Sequence, residues 1–134
     1  QRLSLIDTRF LITHGGASDD DVPNVSRQPE LLHAVENILQ NAAQFSKHDV
    51  SIHIEWTADD IHISINDDGD GFARPVLIRA GQPWNTSRAG QDGHRGLGLF
   101  IARSLVDSIG GSIQFSNLIA GGAKVDIKVP RAAL

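Results

Sequence analysis

The chain has 134 residues, enough for one domain with a sizeable core and too few for two. Hydrophobic residues make up 40% and charged residues 21%, with no apolar run near the roughly 18 to 20 residues of a membrane span, so a soluble domain without direct membrane contact is expected. A net charge of -4 with scattered Lys and Arg argues against a nucleic-acid partner, and the lack of Cys excludes disulfides and cysteine-based metal or redox sites, consistent with a cytoplasmic protein.

Residues 1–28 hold short apolar patches at Leu3 to Ile6 and Phe10 to Ile12 that suit edge strands, and the run Gly15 to Asp21 reads as a solvated turn rather than a metal site. From Pro29 the period changes: Leu31, Leu32, Val35, Ile38, Leu39 and Ala42 form an apolar stripe, predicting a helix over about 29–46 with Pro29 in its first turn. Two alternating segments follow, Val50 to Trp56 and Ile61 to Ile65, joined by Thr57-Ala58-Asp59-Asp60, which predicts a hairpin with one buried face. Residues 69–96 are rich in glycine and nearly aperiodic, a long loop with one short helix near Pro75 to Ala80. Leu97, Phe100, Ile101, Leu105 and Ile109 mark a second helix that stops at Gly110-Gly111, and two last strands carry Ile113 and Phe115, then Val125, Ile127 and Val129. This order suits an α+β fold, a two-layer α/β sandwich with a mixed, mostly antiparallel sheet and helices on one face.

Chemistry concentrates in three places. Asn37 and Asn41 lie one turn apart on the first helix, with Gln44 and Phe45 continuing that stripe. Asn has modest helix propensity, and a carboxamide oxygen suits Mg²⁺, yet on this helix alone two exposed polar residues explain the pattern equally well. Asn66-Asp67-Asp68-Gly69-Asp70-Gly71-Phe72 follows a strand directly: its glycines permit a sharp turn and close ligand approach, and a carboxylate there can accept from an exocyclic amine such as adenine N6. The run lacks the spaced acidic ligands and terminal Glu of a calcium loop. Gly93-His94-Arg95-Gly96-Leu97-Gly98-Leu99 runs into a helix start, where backbone N–H groups and the helix dipole favour phosphate.

The three in this order resemble the N, G1 and G2 boxes of the GHKL superfamily of gyrase-type, chaperone, mismatch-repair and histidine-kinase ATPases, over about residues 27–130. Asn37-Ile38-Leu39-Gln40-Asn41-Ala42 and Gly96-Leu97-Gly98-Leu99 look like the catalytic and ATP-binding domain of sensor histidine kinases. Pro29-Glu30, Gly81-Gln82-Pro83-Trp84, Thr86-Ser87-Arg88, Gly121-Gly122-Ala123 and Val129-Pro130-Arg131 look more narrowly like the RegB/PrrB redox-responsive type. The resemblance implies that residues 1–134 are a single catalytic ATP-binding domain with ATP and Mg²⁺ as cofactors. It implies Asn41 on Mg²⁺ with Asn37 supporting, Phe45 against the adenine, and Asp67 accepting from adenine N6. Gly69 and Gly71 would shape the pocket, residues 72–95 would form an ATP lid, and Gly96, Leu97, Gly98 and Leu99 would line the phosphate side. The implied partners are the dimerisation and phosphoacceptor domain of a parent kinase, itself anchored in the inner membrane or not, and a response regulator downstream.

Three departures stand out. Gln44 occupies a place where many such kinases carry a Lys, leaving Arg88 and Arg95 as candidate phosphate cations; His94 replaces a usual glycine; and Ala123 replaces a frequent Thr. Hydrolytic superfamily members carry a Glu at the position of Asn37, and Asn cannot act as a base, so transfer is favoured over hydrolysis. Glu36 is rotated about 100° away around the helix. None of His14, His33, His48, His53, His62 and His94 sits in a sequence like the phosphoacceptor box, and His53 and His62 alternate with apolar strand residues as solvent-facing positions do. A chain opening Gln1-Arg2-Leu3 reads as a fragment or processed product, which puts the acceptor histidine on a domain upstream. An anti-sigma-type serine kinase on the same fold, or a degenerate nucleotide-binding regulatory module, are the alternatives.

Overall fold

The computed structural model describes residues 9–16, 23–79 and 91–134. Strand β1 (Arg9–Gly16) is followed by a 3-10 turn (Val25–Arg27), helix α1 (Pro29–Phe45) and strands β2 (Asp49–Trp56) and β3 (Asp60–Asp67). Then come helix α2 (Arg74–Arg79), helix α3 (Gln91–Ser108), strands β4 (Ser112–Asn117) and β5 (Ala123–Pro130), and a last 3-10 turn (Arg131–Ala133).

The period-two pattern decides which sheet face is covered. Val50, Ile52 and Trp56 of β2 stand opposite Asp67, Ile65 and Ile61 of β3, and all are buried. The intervening His53, Glu55 and His62 face outward, so one face is dry and the other polar. The five strands run β1-β2-β3-β5-β4, with β1 parallel to β2 and every other pair antiparallel. Thr57 sets the β2–β3 turn: its N–H donates to the Asp60 carbonyl, and its hydroxyl accepts from the N–H groups of Asp59 and Asp60.

Helix α1 buries Leu31, Ala34, Ile38, Ala42 and Ala43, while α3 buries Leu99, Ala102 and Val106. The alanines on these faces let the two helices pack closely on each other above the sheet, and the buried aliphatics fill the layer between. Pro29 opens α1, and the Gln28 side chain donates to the Ala133 carbonyl at 2.6 Å, tying the helix start to the end of the chain.

The expected α+β two-layer architecture is therefore found. Details differ at the start and in the glycine-rich stretch. A single strand, Arg9–Gly16, extends the Phe10–Ile12 patch and takes up Gly15 and Gly16, because its backbone pairs residue by residue with β2 and Arg9 forms a double salt bridge with Asp49. The Leu3–Ile6 patch and the rest of the expected acidic turn lie outside the described residues. Helix α3 begins at Gln91, so Gly96 and Gly98 lie within it and not at its opening. Once the Leu99, Ala102 and Val106 face is docked, each further helical turn costs little, and an internal Gly costs about 1 kcal/mol relative to Ala.

Ile127 is fully buried on β5. Replacing it with Ala should destabilise the domain by about 2–5 kcal/mol in urea unfolding. Ile119→Ser, at a fully exposed turn position, should stay within about 0.5 kcal/mol of the parent chain.

Candidate active site at the Asp67 end of the sheet

Strand β3 ends at Asp67, and three elements meet it there: the C-terminal end of α1, the start of β5 and the turn that follows β3. The Asp67 side chain is 5% exposed, an expensive position for a carboxylate without donors around it. Its Oδ1 accepts from the backbone N–H of Gly69 at 2.9 Å and of Ala123 at 3.2 Å. One of these is in its own turn and the other on β5, so the carboxylate joins the two.

Two glycines make this arrangement sterically possible. A Cβ on Gly69 would lie 2.1 Å from the Phe45 carbonyl oxygen, so the turn rests directly on the last residue of α1. Gly122 has φ +103, and a Cβ there would lie 2.0 Å from the Asp67 carbonyl oxygen. Only glycine allows both the left-handed backbone and that approach.

Asp68 faces the other way. Its carboxylate accepts from three successive backbone N–H groups, those of Lys47 at 2.8 Å, His48 at 3.0 Å and Asp49 at 3.0 Å, and so clamps the α1–β2 connection to the turn. Partial burial works to raise its pKa, and the N–H bonds from His48, Lys47 and Asp49 outweigh that, leaving the pKa below the usual carboxylate value.

On α1, Asn37 and Asn41 are half-buried one turn apart, and Phe45 is half-buried at the helix end. The Asn37 amide nitrogen donates to the His33 carbonyl, one turn back on the same helix, at 3.1 Å. Gln44 is exposed. Phe45, Asp67, Gly69 and Gly71 lie at one end of the sheet, and Asn41 stands one helical turn before Phe45. Arg88 lies outside the described residues, as do residues 80–90 of the segment expected to form a lid, whose described parts carry α2 and the first residues of α3; Arg95, Gly96 and Leu97 are placed only as part of the α3 backbone. Leu99 departs from expectation: its side chain is fully buried in the core, because the α3 face that carries it packs on α1, so it does not line a ligand surface. Gly98 has open space where a Cβ would stand.

Comparison with known proteins decides what this arrangement belongs to. Residues 26–133 match the family model described as histidine kinase-, DNA gyrase B- and HSP90-like ATPase. The chain belongs to this family. Within the GHKL ATPases it is a catalytic ATPase domain of the sensor-histidine-kinase type. It is 37% identical over 107 residues to the sensor histidine kinase RegB of Cereibacter sphaeroides, covering 74% of this chain and 23% of that one. It is 31% identical over 110 residues to the virulence sensor histidine kinase PhoQ of Salmonella typhimurium, covering 80% of this chain and 22% of that one. The chain thus spans less than a quarter of the length of these relatives. Among solved structures, the mycobacterial sensor histidine kinase MprB superposes with a TM-score of 0.66 at 22% identity, over 96% of this chain and 87% of that one. Full-length ShkA in complex with AMPPNP gives 0.68 at 19% identity, over 96% of this chain and 28% of that one. These two show the shared fold.

A concavity of about 560 Å³ lies on the open sheet face among Glu55, Asp60, His62, Lys124, Asp126 and Lys128. It is a solvated face of this GHKL domain whose charges are matched among themselves: Lys128 with Asp60, and both Lys124 and His62 with Asp126. Sequence reading missed Asp68 and Gly122 as parts of the Asp67 site. Asp68 looks like any acidic turn residue, and the close approach that requires Gly122 joins positions far apart in sequence.

The lowered Asp68 pKa has a sign that can be measured. Its stabilising contribution is complete above the unfolded value of about 3.9 and is lost as pH falls through the folded value. Unfolding free energies of the parent chain should therefore fall more steeply on acidification below about pH 5 than those of Asp68→Asn.

Proposed function

We propose that this domain binds ATP with Mg²⁺ between the C-terminal half of α1 and the Asp67 turn, and donates the γ-phosphoryl group to a histidine on a separate dimerisation domain of its parent kinase. The phosphoryl group would then pass to a response regulator. The observation that carries this reading is the buried Asp67 carboxylate, held by the Gly69 and Ala123 N–H groups in the run that resembles the G1 box. An ionised carboxylate has about four acceptor sites, so one more donor, the adenine amino group, can be accommodated beside these.

The residues of α1 fit a magnesium ion. Asn37 and Asn41 supply hard carboxamide oxygens from one helix face, matching the one or two protein ligands that Mg²⁺ commonly takes beside phosphates and water. Bound with ATP, the ion neutralises charge on the phosphate oxygens. Phe45 offers a ring for the base, and Arg88 and Arg95 are the cations available to the phosphates. Gly96 and Gly98 allow close approach along the first turns of α3.

Asn37 favours transfer over hydrolysis. A carboxamide cannot take a proton from water, whereas a neutral imidazole acceptor needs no such base. The domain's contribution is then positioning and charge stabilisation. A domain that uses ATP in this way would work in the cytoplasm, where ATP is available. Among the described residues no helix is long and apolar enough to cross a membrane.

Calorimetric titration with ATP, with and without Mg²⁺, should show binding that Asp67→Asn weakens roughly 10- to 150-fold through loss of a charge-assisted hydrogen bond. Unchanged affinity in that variant would remove Asp67 as the base acceptor. Mixing the domain with its parent's dimerisation domain and labelled ATP should give an acid-labile phosphoprotein, and Asn41→Ala should abolish the label while leaving the urea midpoint intact. An acid-stable label would indicate a serine kinase instead.

A further inference from the structure

The turn after β3 is held at its far end by a side chain that the family motifs do not include. Asn117, the last residue of β4, accepts the Phe72 N–H through Oδ1 at 2.7 Å and donates Nδ2 to the Phe72 carbonyl at 3.0 Å. Its carboxamide therefore does for Phe72 what a neighbouring strand would do, satisfying both backbone groups of one residue. Gly71, immediately before, has φ +84, and a Cβ there would stand 2.8 Å from Asn117 Oδ1, so the turn lies directly on this amide.

Other contacts converge on the same point. The Phe72 ring is 4% exposed and meets Phe115 edge-on, with centroids 6.0 Å apart and planes at 87°. Phe115 belongs to the same strand as Asn117, so β4 holds Phe72 by backbone and by ring. Asn117 also pairs with Ala123 across the β4–β5 ladder, and the Ala123 N–H donates to Asp67 Oδ1. A closed circuit results: Asp67 to Ala123, Ala123 to Asn117, Asn117 to Phe72, and back along the chain through Gly71 and Gly69.

We propose that Asn117 is a positioning residue for recognition of the nucleotide base: it keeps the 67–72 turn in its binding geometry before any ligand arrives. The inference rests on the reading of Asp67 as the base acceptor. Without the carboxamide, the two bonds that fix the Phe72 backbone to β4 are lost and the turn samples other conformations. Apparent affinity then falls in proportion to the fraction of chains in the competent one. The phosphate side, carried by α1 and α3, does not pass through this circuit. Asn117 should thus affect discrimination between bases and not only overall affinity.

The test uses the 134-residue chain and its Asn117→Ala and Asn117→Asp variants, with ATP and GTP titrated in the presence of Mg²⁺. The aspartate variant is nearly isosteric, keeps an acceptor for the Phe72 N–H, and sets a carboxylate oxygen against the Phe72 carbonyl in place of a donor. It covers the case in which the alanine variant does not fold, and urea unfolding establishes that each variant is folded. The expected result is ATP binding weakened roughly 5- to 50-fold, the loss corresponding to two neutral hydrogen bonds, with the preference for ATP over GTP reduced. Folded variants that bind ATP within about twofold of the parent would overturn the inference, as would equal weakening of ATP and GTP, which signals a general scaffold role. Asp67→Asn separates the two levels. If that variant is impaired and the Asn117 variants are normal, only the positioning role fails. If Asp67→Asn binds ATP normally, or the parent chain binds none, the base-recognition reading fails and this inference with it.

Discussion

A carboxylate withdrawn from water must be supplied with donors, and at the end of β3 that requirement organises everything near it. Asp67 accepts from Gly69 in its own turn and from Ala123 on β5. To bring those N–H groups within reach, the turn must lie against the Phe45 carbonyl and Gly122 must pass close to the Asp67 backbone, which neither position could do with a side chain. One buried charge thereby couples α1, β3 and β5, and a ligand that added a further donor would complete a site already formed.

The two faces of α1 divide the work. Leu31, Ala34, Ile38 and Ala42 anchor the helix on the sheet and on α3, which makes it a rigid platform. On that platform Asn37, Asn41 and Phe45 stay partly accessible along the C-terminal half, with Phe45 at the end that meets the Asp67 turn. Asp68 adds a second attachment by gathering the N–H groups of Lys47, His48 and Asp49, so the connection leaving α1 is fixed to the same turn that the helix end supports. Side chains presented from packed helices and strand ends hold their geometry better than side chains on loops.

The opposite sheet face shows what a surface without such organisation looks like. His53 bonds to Glu55, His62 to Asp126, and Lys128 lies near Asp60, all partly exposed. The lysine and the carboxylates have near polar partners, and solvent screens the rest. Polar density by itself does not single out a site; at the Asp67 end the distinguishing feature is burial combined with donors drawn from separate elements.

Much of this was legible in the sequence because it is local. The 3.6-residue stripe from Leu31 to Ala42, the alternation through Val50 to Trp56 and Ile61 to Ile65, and the Gly110-Gly111 stop each follow from which residues must leave water within a short window. The ordered motifs around Asn41, Asp67 and Gly98 likewise identified the family, since each is a short run with its own local geometry. What only the tertiary structure decided depends on residues distant in sequence. The extent of β1 is set by pairing with β2, some forty positions away, and the burial of Leu99 is set by the packing of α3 on α1. Asn117 and Gly122 look like ordinary turn residues until the β4–β5 hairpin folds them against Phe72 and Asp67. Local hydrophobic period and turn chemistry are written in neighbouring residues, but the donors that satisfy a buried carboxylate or a strand-end backbone are chosen only when the sheet closes.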